Sequence, residues 1–481
     1  MNIEECNDST CSSKEEDKID PALLLWCIAN KCRFGDIRAG YVASGWRGGI
    51  ATEHIPADTC VLRVPRKLLL SCESARLDAD LMAAASGCPP LSSLCLLAVH
   101  LLHELSKGPL SLWADYLRSL PPSYTTAISL SAAEAAALQV PYAQHQVAIS
   151  QRAADLRFED ASPVLQKLNL PSKYRSENAF IWALSTLYSR SMFLPTDGDL
   201  EGSSAGCLTP FGDLFNYAPP SAPYTPHLEL SSGMKLPTTD EDSTMITGDG
   251  CLDTKTDEYC IYVRKDYNKG EEIFLCYGRY TNLELLEHYG FVLPFGEGPH
   301  DTAILPRHVL PKVVIVQLEA MDEAEPSIHE NGNPSWEFLR ALRLASLTPA
   351  QRKLKSSKIA LALNDQKVDD ESEIWTMKTL IKACEEGLNK LPTAVEYDEE
   401  LLRIGKFETE GLQVAVQWRL GYKKILREAR EIGKKVLKNL GVDDDVDTVV
   451  NGHLANLNIR QPKLAKRRIP AAAQQAVPSA K

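Results

Sequence analysis

The sequence predicts an α+β fold in which small β-sheets are split by a helical insert and followed by an all-helical domain. Three observations predict it. Two blocks of strand-like runs are punctuated by Gly, Pro and Asp, a Leu/Ala-rich stretch with helical spacing lies between them, and long amphipathic segments follow the second block. The 481 residues and 44% hydrophobic content suit a chain of several packed domains rather than disorder throughout.

The elements follow in order. After an acidic, polar stretch over residues 1–20, "LLLWCIANKC" reads as a short helix and "YVASGWRGGIATEHIPADTCVLRVPRKLLLS" as a small β unit. From about Ser74 to Leu194 the texture is helical, with Leu94, Leu97, Ala98, Leu101, Leu102 and Leu105 at spacings of three and four. A second β block begins near Phe211 and passes through "SSGMKLPTTDEDSTMITGDG", read as an exposed loop. It resumes with "EYCIYVRKDYNKGEEIFLCYGR", whose "NKG" suits a tight turn. From about Leu305 to Leu440 the amphipathic stretches "EIWTMKTLIKACEEGLNKL" and "EGLQVAVQWRLGYKKILREAREIGKKVLKNLG" predict helices. The expected organisation is a flexible acidic tail over 1–20, a β domain over 21–304 split at about 74–194, a helical domain over 305–440 and a flexible basic tail over 441–481. There is no internal repeat or heptad array.

The net charge of −12 argues against general attraction to nucleic-acid backbone or anionic lipid, so proteins and small molecules are the expected partners. Thirteen cysteines without C-x-x-C pairs predict reduced thiols in an intracellular compartment. Cys207, Cys251, Cys260 and Cys276 lack the paired spacing and neighbouring His of a zinc site. No apolar run approaches the roughly 20 residues of a membrane span, which predicts a soluble protein of the cytosol or nucleus. "KLAKRR", Lys463 to Arg468, reads equally as an import signal or a solvated basic run.

Several stretches could carry chemistry. In "GEEIFLCYGRYTNLELLEHYGF" a strand ends at Gly278 and a helix opens with a Thr281/Glu284 capping box, so Tyr277 and Tyr289 flank one tight junction. Both also suit plain aromatic packing. "ASGWRGGIAT" holds Gly45, Gly48 and Gly49, which let a ligand approach the backbone, but it is neither a Walker loop nor a dinucleotide fingerprint. "SENAFIWALSTLYSRSMFLP" reads as a helix capped by Ser176, with Arg190 in the last turn where a cation also suits the helix dipole. "GDLFNYAPP" sets Asp213, Asn216 and Tyr217 among apolar neighbours, so the Asn216 amide must be paired by the fold or by a ligand. H-E-x-x-H and G-x-S-x-G are missing, and His100 and His103 on an apolar helix read as core rather than as metal ligands.

Taken in order, "GWRGGIAT…VLRVPRKLLLS", "LWADYLRSLP", "FIWALSTLYSRSMFLP", "GDLFNYA" and "GEEIFLCYGRYTNLELLEHYGFVLP" resemble the SET-domain methyltransferases. More narrowly they resemble the branch of the Rubisco large-subunit and actin-histidine methyltransferases, with plant SET domain group proteins nearest. "LPTAVEYDEELL" and "VAVQWRLGYKKIL" look like landmarks of that branch's helical substrate-binding domain. The resemblance implies SET-type sheets with a knot-like core, in which the "DLFNY" segment passes beneath the loop after the catalytic strand. It implies an S-adenosylmethionine site at Trp46, Arg47, Gly48, Arg190, Asp213, Leu214, Phe215, Asn216, Tyr217, Thr281, Asn282 and Leu283, with Tyr277 and Tyr289 as catalytic residues. The implied reaction is direct methyl transfer to a lysine of a protein substrate, by a monomer and with no metal. The alternatives are a histidine target or a SET-scaffold binding module with weakened catalysis. Two positions depart from the family's usual pattern: Tyr217 stands where most members have His, and Trp46 where a small residue is usual.

Overall fold

The computed structural model describes residues 21–42, 47–194, 205–220, 249–322, 324–348, 351, 357–364 and 366–442. The 1–20 tail, Trp46, most of the stretch Ser231–Gly250, and Lys463 to Arg468 lie outside the described residues.

The strands are short. In chain order they are β1 Arg33–Phe34, β2 Ile37–Tyr41, β3 Arg47–Ala51, β4 Cys60–Pro65, β5 Leu70–Ser71, β6 Ser191–Met192 and β7 Cys207–Leu208. After these come β8 Asn216–Tyr217, β9 Gly250–Asp253, β10 Glu258–Tyr262, β11 Glu272–Leu275, β12 Thr302–Ile304 and β13 Ser327–His329. They form sheets of order β1-β4-β10-β9, β2-β3-β11-β8, β5-β7-β6 and β12-β13. The pairings are antiparallel except β8 with β11, which run parallel. That parallel pair draws the "DLFNY" segment alongside the strand preceding Tyr277.

The helical insert leaves from β5 and returns at β6, and β7 pairs with both, so Cys207 sits opposite Ser71 on one side and Met192 on the other. One small sheet thereby closes the insert at its two ends. Between them run helices from Cys72–Leu77 to Glu177–Arg190. The predicted caps are present: the Ser176 side chain accepts from Ala179 N, and Thr281 and Glu284 form a reciprocal capping box on Asn282–Tyr289. Gly290 ends that helix in the left-handed region at φ 78°, where a Cβ would lie 2.8 Å from the Thr126 backbone nitrogen.

Two apolar cores result. The first joins the sheets to the insert through residues such as Val61, Leu62, Val64, Leu101, Phe180 and Leu184. The second centres on Phe338, Leu342, Leu380, Ile381, Ile425 and Leu426 of the C-terminal helices, and also takes Leu138, Val147 and Leu286 from the preceding part of the chain. A buried charge cluster joins the same parts. Asp398 is fully buried and accepts from Arg419 Nη2 at 2.6 Å and Lys423 Nζ at 2.5 Å. Lys423 also donates to Thr393 Oγ1 at 2.7 Å, and Arg419 donates to the Ala137 carbonyl at 2.8 Å. Burial opposes ionisation of Asp398, but its bonds to Arg419 and Lys423 outweigh burial and hold its carboxyl below the usual range.

Candidate active site

The site is built where β3, β8 and β11 lie side by side. Gly49 of β3 faces Ile273 of β11, whose next residues, Phe274 and Leu275, pair with Asn216 and Tyr217 of β8. A Cβ on Gly49 would lie 2.3 Å from the Phe215 ring, so the hairpin glycine admits a protein side chain. The sequence reading gave that close approach to a ligand; the structure gives it to Phe215. Gly49→Ala is therefore expected to lower stability by about 1–3 kcal/mol through overpacking, measured by chemical denaturation.

Asn216 is half-buried. Its Nδ2 donates to the Arg47 carbonyl at 3.0 Å and to Glu272 Oε1 at 2.7 Å, and among the described residues no group donates to its Oδ1. Burial raises the Glu272 pKa, against the lowering effect of Asn216. The fold thus satisfies the donors of this amide and leaves its acceptor.

Arg190, at the end of the Glu177–Arg190 helix, reaches under the approach to β8. Its Nη1 donates to the Asp213 carbonyl at 2.8 Å and to Asp213 Oδ2 at 3.2 Å, while the Tyr116 hydroxyl donates to the same Oδ2 at 3.1 Å. Burial works against the Arg190 charge, but Asp213 and the neighbouring Tyr124 and Tyr116 raise its pKa overall. Arg190 pins the turn Gly212–Leu214 that delivers Phe215 and Asn216. Leu214 and Phe215 are buried in the first core.

The tyrosines form one cluster. The Tyr277 hydroxyl donates to the Phe215 carbonyl at 2.5 Å, and its ring lies 5.3 Å from Tyr217 and 5.0 Å from Tyr289. Phe291 lies 6.1 Å from both Tyr217 and Tyr289. The Tyr217 hydroxyl donates to the Gly278 carbonyl at 3.0 Å, and that of Tyr289 to Tyr280 Oη at 3.4 Å. Burial raises the pKa of Tyr277, Tyr217 and Tyr289, so all three are neutral phenols at neutral pH. Tyr217, the departure from the family pattern, finds both a ring contact and a hydrogen-bond acceptor here.

Thr281, Asn282 and Leu283 open the helix that carries Tyr289, but their side chains are spent on the fold. Thr281 is in the capping box. Asn282, 2% exposed, donates to Asp301 Oδ2 at 2.8 Å and the Leu293 carbonyl at 3.1 Å and accepts from Leu293 N at 2.7 Å. Leu283 packs against the second core. Sequence reasoning missed Tyr116, Glu272, Tyr280 and Phe291. Tyr116 lies inside "LWADYLRSLP" and the other three inside "GEEIFLCYGRYTNLELLEHYGF", so the signal lay in stretches already singled out.

Comparison with known proteins gives the family and the fold. Residues 303–426 match the family model for the Rubisco LSMT substrate-binding domain. Protein SET DOMAIN GROUP 40 of Arabidopsis thaliana is 34% identical over 75% of this chain and 71% of its own length. Actin-histidine N-methyltransferase of Homo sapiens is 26% identical over 87% of this chain and 69% of its own. The crystal structure of the SET domain of LSMT bound to lysine and AdoHcy superposes with a TM-score of 0.59 at 20% identity, covering 92% of this chain and 98% of that one. The chain belongs to the SET-domain protein methyltransferase family.

Proposed function

We propose that this protein transfers a methyl group from S-adenosylmethionine to the side-chain nitrogen of a lysine in a protein substrate. The observation that carries the proposal is the junction of β8 with the segment after β11, where the Tyr277 phenol is locked onto the Phe215 carbonyl one residue before Asn216. When bound, S-adenosylmethionine supplies an electrophilic methyl group on a sulfonium.

The residues fit such a ligand. Asn216 Oδ1 offers an acceptor to an ammonium, beside a half-buried Glu272 carboxylate. A lysine with pKa about 10.4 must lose its proton before it can attack. The rings of Tyr217, Tyr277, Tyr289 and Phe291 give an apolar wall that accommodates a methylene stem and disfavours the charged amine by desolvation. Tyr277, a neutral donor, cannot take that proton at neutral pH and acts by positioning. The solved LSMT complex with lysine supports this choice of acceptor, whereas the similarity to actin-histidine N-methyltransferase supports histidine as a second reading.

Calorimetry with S-adenosylmethionine, followed by mass spectrometry of extract proteins methylated in vitro, tests the proposal. Binding and methyl-lysine products are expected, and methyl-histidine products would replace the first reading by the second. A folded protein that binds no S-adenosylmethionine would leave only a scaffold for protein binding. Asn216→Ala is expected to weaken cofactor binding by roughly tenfold, about 1.4 kcal/mol.

A further inference from the structure

The helix Ser93–Lys107 carries a polar face that methyl transfer does not use. His100, His103 and Glu104 are 1%, 7% and 3% exposed, and with Asp78, the N-cap of the Ala79–Ala85 helix, they gather beside Lys107. His100, Glu104, Asp78 and Lys107 line a cavity of about 510 Å³, together with Arg66 and Ser74. Asp78 is held from one side, since its Oδ1 caps Leu81 N at 3.0 Å and so turns Oδ2 toward the cluster. There Oδ2 lies 3.0 Å from His103 Nδ1, 3.8 Å from His100 Nδ1 and 2.8 Å from Lys107 Nζ. Lys107 also reaches Glu104 Oε1 at 2.5 Å, and the other Glu104 oxygen accepts from Ser111 Oγ at 2.6 Å.

Ser74 orients His100: its oxygen accepts from Ser71 N at 2.9 Å and lies 2.9 Å from the Ser71 carbonyl and 3.2 Å from His100 Nε2. With its one hydroxyl proton on that carbonyl, Ser74 accepts from His100 Nε2, and a neutral ring then presents a bare lone pair at Nδ1. That atom is buried, has no hydrogen-bond partner, and faces the oxygen of a carboxylate. Two lone pairs facing each other in a buried site call for a cation between them. One ammonium also leaves two carboxylates with a net charge of −1, whereas a divalent ion would cancel both.

We propose that Asp78, His100 and Glu104, with His103 beside them, form a binding site for a divalent transition-metal ion of the zinc class, and that Lys107 is its exchangeable resident cation. One ligand atom from each of Asp78, His100 and Glu104 lies within 4.8 Å of the others. Bonds of about 2.0–2.2 Å to a tetrahedral ion place ligands somewhat over 3 Å apart, a contraction that small side-chain shifts can supply. The imidazole and carboxylate donors suit zinc or cobalt rather than calcium, and Ser74 on His100 Nε2 is the outer partner that orients such a ligand. The structure buries His100 and His103 as the apolar helix predicted, and Asp78 brings a carboxylate to them that the periodicity did not show.

The test uses the full chain, stripped of metal by chelator and titrated with Co²⁺ at neutral pH. We expect one equivalent to bind with visible ligand-field bands, without the near-ultraviolet charge-transfer band of a thiolate ligand, and to raise the thermal midpoint. His100→Gln should lower affinity by at least roughly tenfold. Lys107→Met removes the competing ammonium, so it should melt lower without metal and regain the loss when Co²⁺ is added. Failure of both wild type and Lys107→Met to bind Co²⁺ would overturn the proposal. So would thiolate charge transfer, or unchanged affinity in a folded His100→Gln. None of these readouts depends on methyl transfer.

Discussion

Tyr277→Phe is expected to lower the rate of methyl transfer by roughly 10²-fold while leaving S-adenosylmethionine affinity and the KM for the protein substrate within about threefold. The expectation follows from where the hydroxyl is spent. Its one proton goes to the Phe215 carbonyl at 2.5 Å, which fixes the ring against Tyr217 and Tyr289 and leaves the oxygen lone pairs free to accept. An oxygen so placed aligns an incoming amine and stabilises positive charge as it develops, and it acts without exchanging a proton because burial keeps the phenol neutral. Phenylalanine keeps the ring packing but leaves the Phe215 carbonyl unpaired, a stability cost of about 1–3 kcal/mol that denaturant melts would report separately. Single-turnover rates with saturating cofactor make the distinction. A variant that turns over at the wild-type rate would remove Tyr277 from the chemistry and leave it a packing residue.

Local signals in the sequence are the ones that survive into the structure. The capping box at Thr281/Glu284, the Ser176 cap and the Gly290 stop depend on neighbours within five residues, so each was legible from spacing alone. Two members of the ordered set of motifs also meet in the fold, because the parallel pairing of β8 with β11 brings "DLFNY" and "FLCYG" together. What the sequence could not show is which polar atoms are consumed by the fold. Arg190 spends Nη1 on the Asp213 carbonyl and carboxylate but keeps a buried Nε without a hydrogen-bond partner, and the Asn282 side chain bonds to Asp301 and Leu293 across separations of 19 and 11 residues. The glycine at position 49 was visible, but its partner, Phe215, lies across the sheet. Long-range pairing decides these roles, and hydrophobic periodicity carries no information about it.

The landmarks "LPTAVEYDEELL" and "VAVQWRLGYKKIL" have a physical reason to occur together, and it yields the largest stability effect. Asp398 belongs to the first, and the Arg419 and Lys423 that clamp its two oxygens belong to the second. Lys423 is 1% exposed and Arg419 5%, so Asp398→Asn would leave two buried cations without their anion, at a cost of about 3–5 kcal/mol. Acid should reproduce part of that loss. The Asp398 pKa is depressed in the folded protein, so its contribution is present above the unfolded value of 3.8 and fades as pH falls through the lower folded value. Because Arg419 also holds the Ala137 carbonyl and Lys423 reaches Gln139, the damage should fall on the seam between the C-terminal helices and the insert. The β8–β11 junction draws on the first core, with Phe215, Ile273 and Leu275 among its members. Urea titration should therefore show an early loss of structure in the helical part, while the variant still binds S-adenosylmethionine and no longer engages a whole protein substrate. If Asp398→Asn unfolds within about 1 kcal/mol of wild type, the cluster is not what joins the two parts, and apolar packing through Leu138, Val147 and Leu286 must carry the seam instead.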